Sequence, residues 1–300
     1  MSNLSNTVFC FGEVLWDIFP SGAKVGGAPF NVAYNLKKMG VEPKILTRVG
    51  QDDLGISLRK QIKNWGLDDQ YVQEDPNHNT GTVIADFDER GEAKYDIIYP
   101  VAYDFIEINN TIKEEISNSE AFVFGSLISR HSVSANSLFE ALEASNLKIF
   151  DVNLREPYCD FKVIEQLLHK SDIVKMNKAE LRSVLAHINV SYESEYDSVR
   201  FFQDHYKVSE VLISKGSKGA LYYDGNQDYF AEALHIEVGD TVGSGDAFLA
   251  GFISKRIIKA APQIIMQRAV ELGAFITTKL GACPEYNFKD FEKFSESHKI

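Results

Sequence analysis

The segment Asp240-Thr241-Val242-Gly243-Ser244-Gly245-Asp246-Ala247-Phe248 sets very small residues directly ahead of an apolar stretch of helical period. Residues this small let backbone N–H groups point into open space at a helix start. The helix dipole adds positive potential at the same place, so an anion is favoured there. Asp246 falls in the first turn, beside that anion. A carboxylate with an ordinary pKa of ~4 is ionised at neutral pH. Set against a hydroxyl that attacks a phosphoryl group, it accepts the proton while the N–H groups stabilise the transferring charge. The same residues also describe a tight turn with an acidic first-turn residue, which helices favour for local reasons.

Other segments carry comparable double readings. In Gly26-Gly27-Ala28-Pro29-Phe30-Asn31 the paired glycines allow close approach to a ligand, and Asn31 offers donor and acceptor groups to a polyol. Asp17 could accept hydrogen bonds from two neighbouring hydroxyls. A helix-capping glycine turn with a solvated Asp17 accounts for the same pattern. SKGSKGALYYDG (214–225) reads as a hairpin whose glycines supply positive φ. Asn177 followed three residues later by Glu180 has capping-box spacing. The seven histidines are scattered singly through the chain and read as structural rather than as ligands.

The elements that must position these residues alternate in type. VFCFG (8–12), KILTRV (44–49), AFVFG (121–125), KIFDV (148–152), DIVKM (172–176) and EVLIS (210–214) read as buried strands, with helix-like segments between most of them. Ala28 to Met39 places Val32, Leu36 and Met39 on one helical face and stops at Gly40, and Leu54 to Trp65 stops at Gly66. Two apolar helices are expected to close the chain, at about 245–258 and 263–279. This rhythm implies an α/β fold with a mostly parallel sheet covered on both faces. TGTVIADFDERGEAKYDIIY (80–99) departs from it as two alternating strands around a DERG turn, and VLWDIF (14–19) reads as a strand; together they suggest a small antiparallel lid.

Composition narrows the function. With 31 Lys+Arg against 43 Asp+Glu the net charge is −12, which disfavours binding to nucleic acid or an anionic membrane. Cys10, Cys159 and Cys283 are far apart and form no Cys-x-x-Cys pair, so neither a disulfide framework nor structural zinc is expected. The N-terminus lacks a secretory pattern, and no apolar run approaches the ~18 residues of a membrane span, so the expected location is the cytoplasm. Gly12-Glu13-Val14 after the first strand is not a G-x-G-x-x-G fingerprint, which argues against a dehydrogenase.

GGAPFNVAYNLKKMG (26–40) and DTVGSGDAFLAGF (240–252) resemble, in order and separation, the two signatures of the ribokinase-like (PfkB) carbohydrate kinases. Thr80-Gly81-Thr82-Val83, YPVAYD (99–104) and DVNLR (151–155) are most similar to the fructokinase branch. The resemblance implies a single ribokinase-like domain over 1–300, with a lid formed by about 14–27 and 80–100. It implies ATP-dependent phosphorylation of a sugar's terminal primary hydroxyl, fructose giving fructose 6-phosphate. Asp246 would be the base and Gly243, Ser244 and Gly245 the anion hole. Asp17, Gly27, Asn31, Asn153 and Arg155 would bind the sugar, with Arg155 alternatively a surface ion-pair partner. Ser214, Lys215, Gly216 and Gly219 would contact ATP; Asn177 and Glu180 would serve Mg²⁺ and phosphate through water. Asp240, Val242 and Gly281 correspond to a monovalent-cation (K⁺) site of some members. Val270 stands where relatives often carry an asparagine beside the adenine. A homodimer through the lid is the partner implied. The alternatives are 2-keto-3-deoxygluconate, tagatose, ribose or a nucleoside as acceptor, and a non-catalytic sugar- or nucleotide-binding regulator.

Overall fold

The structure is a computed structural model that describes residues 5–20, 22–87 and 93–298. The DERG turn expected at 88–91 lies outside the described residues.

The chain opens with β1 (Ser5–Phe11), β2 (Leu15–Phe19), β3 (Gly22–Gly26), α1 (Ala28–Lys38), β4 (Glu42–Gly50), α2 (Asp53–Asn64) and β5 (Val72–Asp75). It continues through β6 (Gly81–Phe87), β7 (Ala93–Ile97), α3 (Asn110–Ser117), β8 (Ser119–Gly125), α4 (Ser132–Ala144), β9 (Lys148–Asp151), α5 (Phe161–His169) and β10 (Ile173–Asn177). Then come α6 (Lys178–His187), α7 (Glu195–Tyr206), β11 (Glu210–Ser214), β12 (Ala220–Tyr223), β13 (Asp228–Ala231), α8 (Ser244–Arg256), α9 (Pro262–Thr277) and α10 (Phe288–Ser297).

Nine strands form one sheet in the order β13-β12-β11-β10-β9-β8-β1-β4-β5. The pairings from β11 across to β5 are parallel, and β12 and β13 add an antiparallel edge. The strands are apolar on both faces because both are covered. Val8 and Cys10 of β1 face a core shared with α1, α2, α8, α9 and α10, while Phe9 and Phe11 face the core of α3 to α7. β11 repeats the division, with Leu212 on the first side and Val211 and Ile213 on the second. Each buried side chain of this kind contributes roughly 1.5–3 kcal/mol. Phe124 and Phe150 stack in register on neighbouring strands, ring centroids 4.9 Å apart.

A second sheet has the order β3-β2-β6-β7: two antiparallel hairpins joined along a parallel β2–β6 seam. Its return to the main sheet is anchored by Arg130. The guanidinium donates from Nε and Nη2 to the two oxygens of Asp104 (2.7 and 2.8 Å) and from Nη2 to the Ile98 carbonyl, with the Arg130 and Asp104 side chains buried. Tyr99, Tyr103 and Tyr158 surround it, with ring centroids 4.6–5.0 Å from its carbon.

α8 and α9 occupy the two expected positions, but they do not end the chain. FKDFEKF forms α10, capped by a box in which Asn287 accepts from the Asp290 amide and Asp290 from the Asn287 amide. Its apolar residues pack Phe291 into the core against Phe275.

The strand order reverses its direction of growth between β8 and β1. A crevice opens at the carboxyl ends of the strands on either side of such a switch point. Glu13, Asn153, Asn177 and Ser214 all lie at or just past those ends.

Candidate active site

Asp246 sits in the first turn of α8, half-buried. Asn31, itself only 5% exposed in the first turn of α1, donates from Nδ2 to Asp246 Oδ2 at 2.7 Å. Asn31 is held in turn: its Oδ1 accepts from the Cys283 thiol at 3.3 Å, and its carbonyl accepts from Asn35 Nδ2 at 2.9 Å. The two glycine segments of the sequence therefore meet across 215 residues of chain.

Gly243 precedes α8 in a left-handed conformation, φ 76°, and no side chain caps the helix. Ser244 and Gly245 continue into the first turn; the Ser244 amide donates to the Thr241 carbonyl at 3.3 Å, and the other first-turn amides have no intrahelical acceptor. A Cβ at 243 would lie 2.5 Å from Ala282, so glycine is required by packing as well as by φ. Gly27 has φ 111°, and a Cβ there would strike the Glu13 carbonyl at 2.3 Å. The result is an uncapped helix start beside an anchored carboxylate.

Burial, and then the neighbouring Asp151, push the Asp246 carboxyl up to about 6, while Lys175, the Asn31 hydrogen bond and Arg155 pull the other way. Lys175 is buried on β10 and donates to both oxygens of Asp151 on β9, each at 2.9 Å. A Cβ on Gly245 would lie 3.2 Å from its ammonium, so the cation sits directly under the helix start. Burial works against that charge, but Asp151 and Asp246 outweigh it and hold the Lys175 ammonium above its ordinary value.

Glu13, 4% exposed, accepts from the Ala28 amide at 3.1 Å, and burial raises its carboxyl to about 7. Asp17 on β2 is also raised by burial, to about 6, with Arg155 and Lys24 opposing. Asp17 pairs with Lys24 across the hairpin, and a Cβ on Gly26, two residues along β3, would lie 2.3 Å from its Oδ2, so glycine there leaves room for the carboxylate. Asn153 holds φ 36° just past β9, a strained conformation that asparagine tolerates better than most residues. Arg155 is exposed, and among the described residues no carboxylate pairs with it; its guanidinium donates only to the Leu154 carbonyl, at 3.1 Å. Its charge reaches Glu13, Asp17 and Asp246. The surface ion pair considered from the sequence is not formed.

The 214–219 loop makes the expected tight hairpin between β11 and β12, with Gly216 at φ 57° and Gly219 at φ 87°. The Lys215 ammonium pairs with Glu195 at 3.1 Å, its amide donates to the Gly219 carbonyl at 2.9 Å and its carbonyl accepts from the Lys218 amide at 3.2 Å, so the loop is closed on itself. Asn177 and Glu180 form the capping box at the start of α6, and Glu180 also accepts from the Leu154 amide at 3.2 Å. That bond ties the 153–155 segment to α6. Asp240 accepts from the amides of Val242 and Gly281, both at 3.0 Å, which brings the three residues of the cation motif together.

Between β13 and α9 lies a groove of about 590 Å³ lined by Phe230, Leu234, Met266, Gln267, Val270 and Glu271 among others. Val270 gives it an apolar wall, and one turn away Gln267 Nε2 donates to the buried Glu271 at 2.9 Å.

The pfkB family carbohydrate kinase model matches residues 21–287. The chain belongs to that family. This carbohydrate kinase is 27% identical over 307 aligned residues to Probable fructokinase-3 of Arabidopsis thaliana, covering 92% of the chain and 87% of the relative. It is also 27% identical to a fructokinase of Escherichia coli, covering 84% of each. Its fold is ribokinase-like. A fructokinase with bound ATP from Xylella fastidiosa superposes with TM-score 0.86 at 19% identity, over 98% of this chain and 99% of that one. A fructokinase from Vibrio cholerae with fructose, ADP and calcium superposes with TM-score 0.83 at 24% identity, over 97% and 99%.

Three charged residues of this cluster, Glu13, Asp151 and Lys175, were not singled out from the sequence. Each lies in or just after an apolar strand run, and the available signal was the charge itself: a lysine inside DIVKM and an aspartate inside KIFDV. Among the described residues no helix is long and apolar enough to cross a membrane.

Proposed function

We propose that this kinase transfers the γ-phosphoryl group of ATP to the terminal primary hydroxyl of fructose, giving fructose 6-phosphate. The observation that carries the reading is the Asp246 carboxylate, fixed by Asn31 at an uncapped glycine helix start over the Lys175 ammonium. Asp246 accepts the hydroxyl proton as that oxygen attacks in line, and the amides of 243–245 receive the charge that develops on the phosphoryl oxygens. Lys175, buried beneath them, keeps Asp246 ionised and adds positive potential.

The sugar lies against Asp17, Gly27, Asn31, Asn153 and Arg155. The smaller sheet acts as a lid within one domain, excluding water that would otherwise take the phosphoryl group. Phosphates run past the 214–219 loop at Ser214, Lys215, Gly216 and Gly219, and the base enters the groove beside α9. With Val270 there, polar contact to the base falls to Gln267 and Glu271. Asn177 and Glu180 offer hard oxygen donors of the kind Mg²⁺ accepts through water; bound Mg²⁺ neutralises phosphate charge. Asp240 keeps lone pairs beyond its two amide bonds, and with the Val242 and Gly281 backbone it suits K⁺. The lid's outer face would join two copies, and the protein would work in the cytoplasm.

A sugar acid would need a cation for its carboxylate. Arg130, the other guanidinium near the lid, is already committed to Asp104. The test is ADP release across fructose, tagatose, ribose, 2-keto-3-deoxygluconate and adenosine. Fructose should give the highest kcat/KM. A clear preference for another acceptor overturns the fructose assignment, and no ADP release with any of them overturns the kinase chemistry.

A further inference from the structure

We propose that Glu165, His169 and His205 form a binding site for a divalent transition-metal ion of the zinc class, clamping α5 to α7. Glu165 and His169 are four residues apart on α5, so both project from one helical face. His205 comes from the last turn of α7. One ligand atom from each lies within 4.8 Å of the other two. Far apart in sequence, the two imidazoles sit with ring centroids 6.0 Å apart, which the scattered histidine pattern did not suggest.

The rings are braced from below. Tyr206, 1% exposed, packs edge-on to both, 5.0 Å from His169 and 4.6 Å from His205, and Phe201 stacks on His205 at 5.5 Å. Among the described residues none of the three side chains has a hydrogen-bond or ion-pair partner, so their ligand atoms remain free. Zinc-class ions bind imidazole nitrogen at about 2.0–2.1 Å and carboxylate oxygen at about 2.0–2.2 Å. Ligands on one such ion stand roughly 3.4 Å apart, within the reach of rotamer adjustments by exposed side chains. Three protein ligands leave a position for water.

The donor set selects the metal. Two imidazoles and a carboxylate suit Zn²⁺, Ni²⁺ or Cu²⁺, whereas Mg²⁺ and Ca²⁺ require oxygen throughout. The site is therefore separate from the ion that accompanies a nucleotide. α5 follows the 153–155 segment and α7 leads into β11, so the clamp joins two helices packed on one face of the large sheet.

The experiment is calorimetric titration of Zn²⁺ into tag-free full-length protein with millimolar Mg²⁺ present, paired with thermal unfolding. The wild type should take up one Zn²⁺ per chain and gain several degrees in Tm. Losing even an outer partner of a metal ligand costs roughly 10–100-fold in affinity. His169→Ala and His205→Ala should each weaken binding at least that much and abolish the Tm gain. Glu165→Gln should weaken it less. Both histidines are exposed, so the variants should unfold like the wild type without zinc, which separates lost ligation from lost folding. Absence of saturable binding, displacement of zinc by Mg²⁺, or unchanged binding in both histidine variants would each overturn the site.

Discussion

Asp246 is held between opposing influences, and their balance sets a measurable pH. Burial and Asp151 disfavour its charge; Lys175, Asn31 and Arg155 favour it, and the carboxyl settles at about 6. With Asp246 as the proposed base, which must be ionised to accept a proton, activity should be lost as pH falls through about 6 and level off above it. kcat/KM for fructose should fall roughly tenfold per pH unit on that acid limb. Glu13 and Asp17 titrate in the same region, at about 7 and about 6. Lys175→Met separates them, because Lys175 acts on Asp246 and is not among the causes that shift the other two. Losing that cation should move the acid limb upward, and an unmoved limb would assign it to another group. Asp246 and Asn31 were legible because 240–252 and 26–40 resemble the two family signatures; taken singly, each segment also fitted an ordinary helix start. Lys175 and Asp151 were not, since their partnership exists only once β9 and β10 lie side by side beneath α8.

At the scale of elements, two junctions carry the site. Gly243 joins the 240–242 loop to α8 at φ 76° with Ala282 against it. Gly243→Ala adds backbone strain of about 1–3 kcal/mol and displaces the first-turn amides. Lower turnover with a smaller change in fructose KM is expected, read by steady-state kinetics. The second junction is Arg130–Asp104, which pins the end of β7 to the segment after β8. Asp104→Ala leaves a buried guanidinium without its partner and should cost about 3–5 kcal/mol, measured by denaturant unfolding. The core strands were legible because β-branched and aromatic runs have little else to form. β12 and β13 were harder, because SKGSKGALYYDG equally described a lone hairpin, and α10 was hidden by a charged sequence whose apolar face shows only at helical period.

For the whole molecule, the parallel sheet and its switch point gather at the carboxyl ends of its strands residues that the chain scatters from Glu13 to Asp246. The smaller sheet departs from the same end, since β2 follows Glu13 directly and β3 leads into Gly27. If that sheet closes over the sugar, fructose should slow amide hydrogen exchange in β2, β3 and β6 more than in β12 and β13. Equal protection in both regions would contradict a lid. The proposed catalysis rests on a proton leaving a sugar hydroxyl for one carboxylate. Its most direct test is turnover by Asp246→Asn, which keeps the size of the side chain and removes its basicity. ADP release with fructose should drop by roughly 10²–10⁴-fold while calorimetry finds fructose and nucleotide still bound. Turnover near the wild-type rate would contradict it.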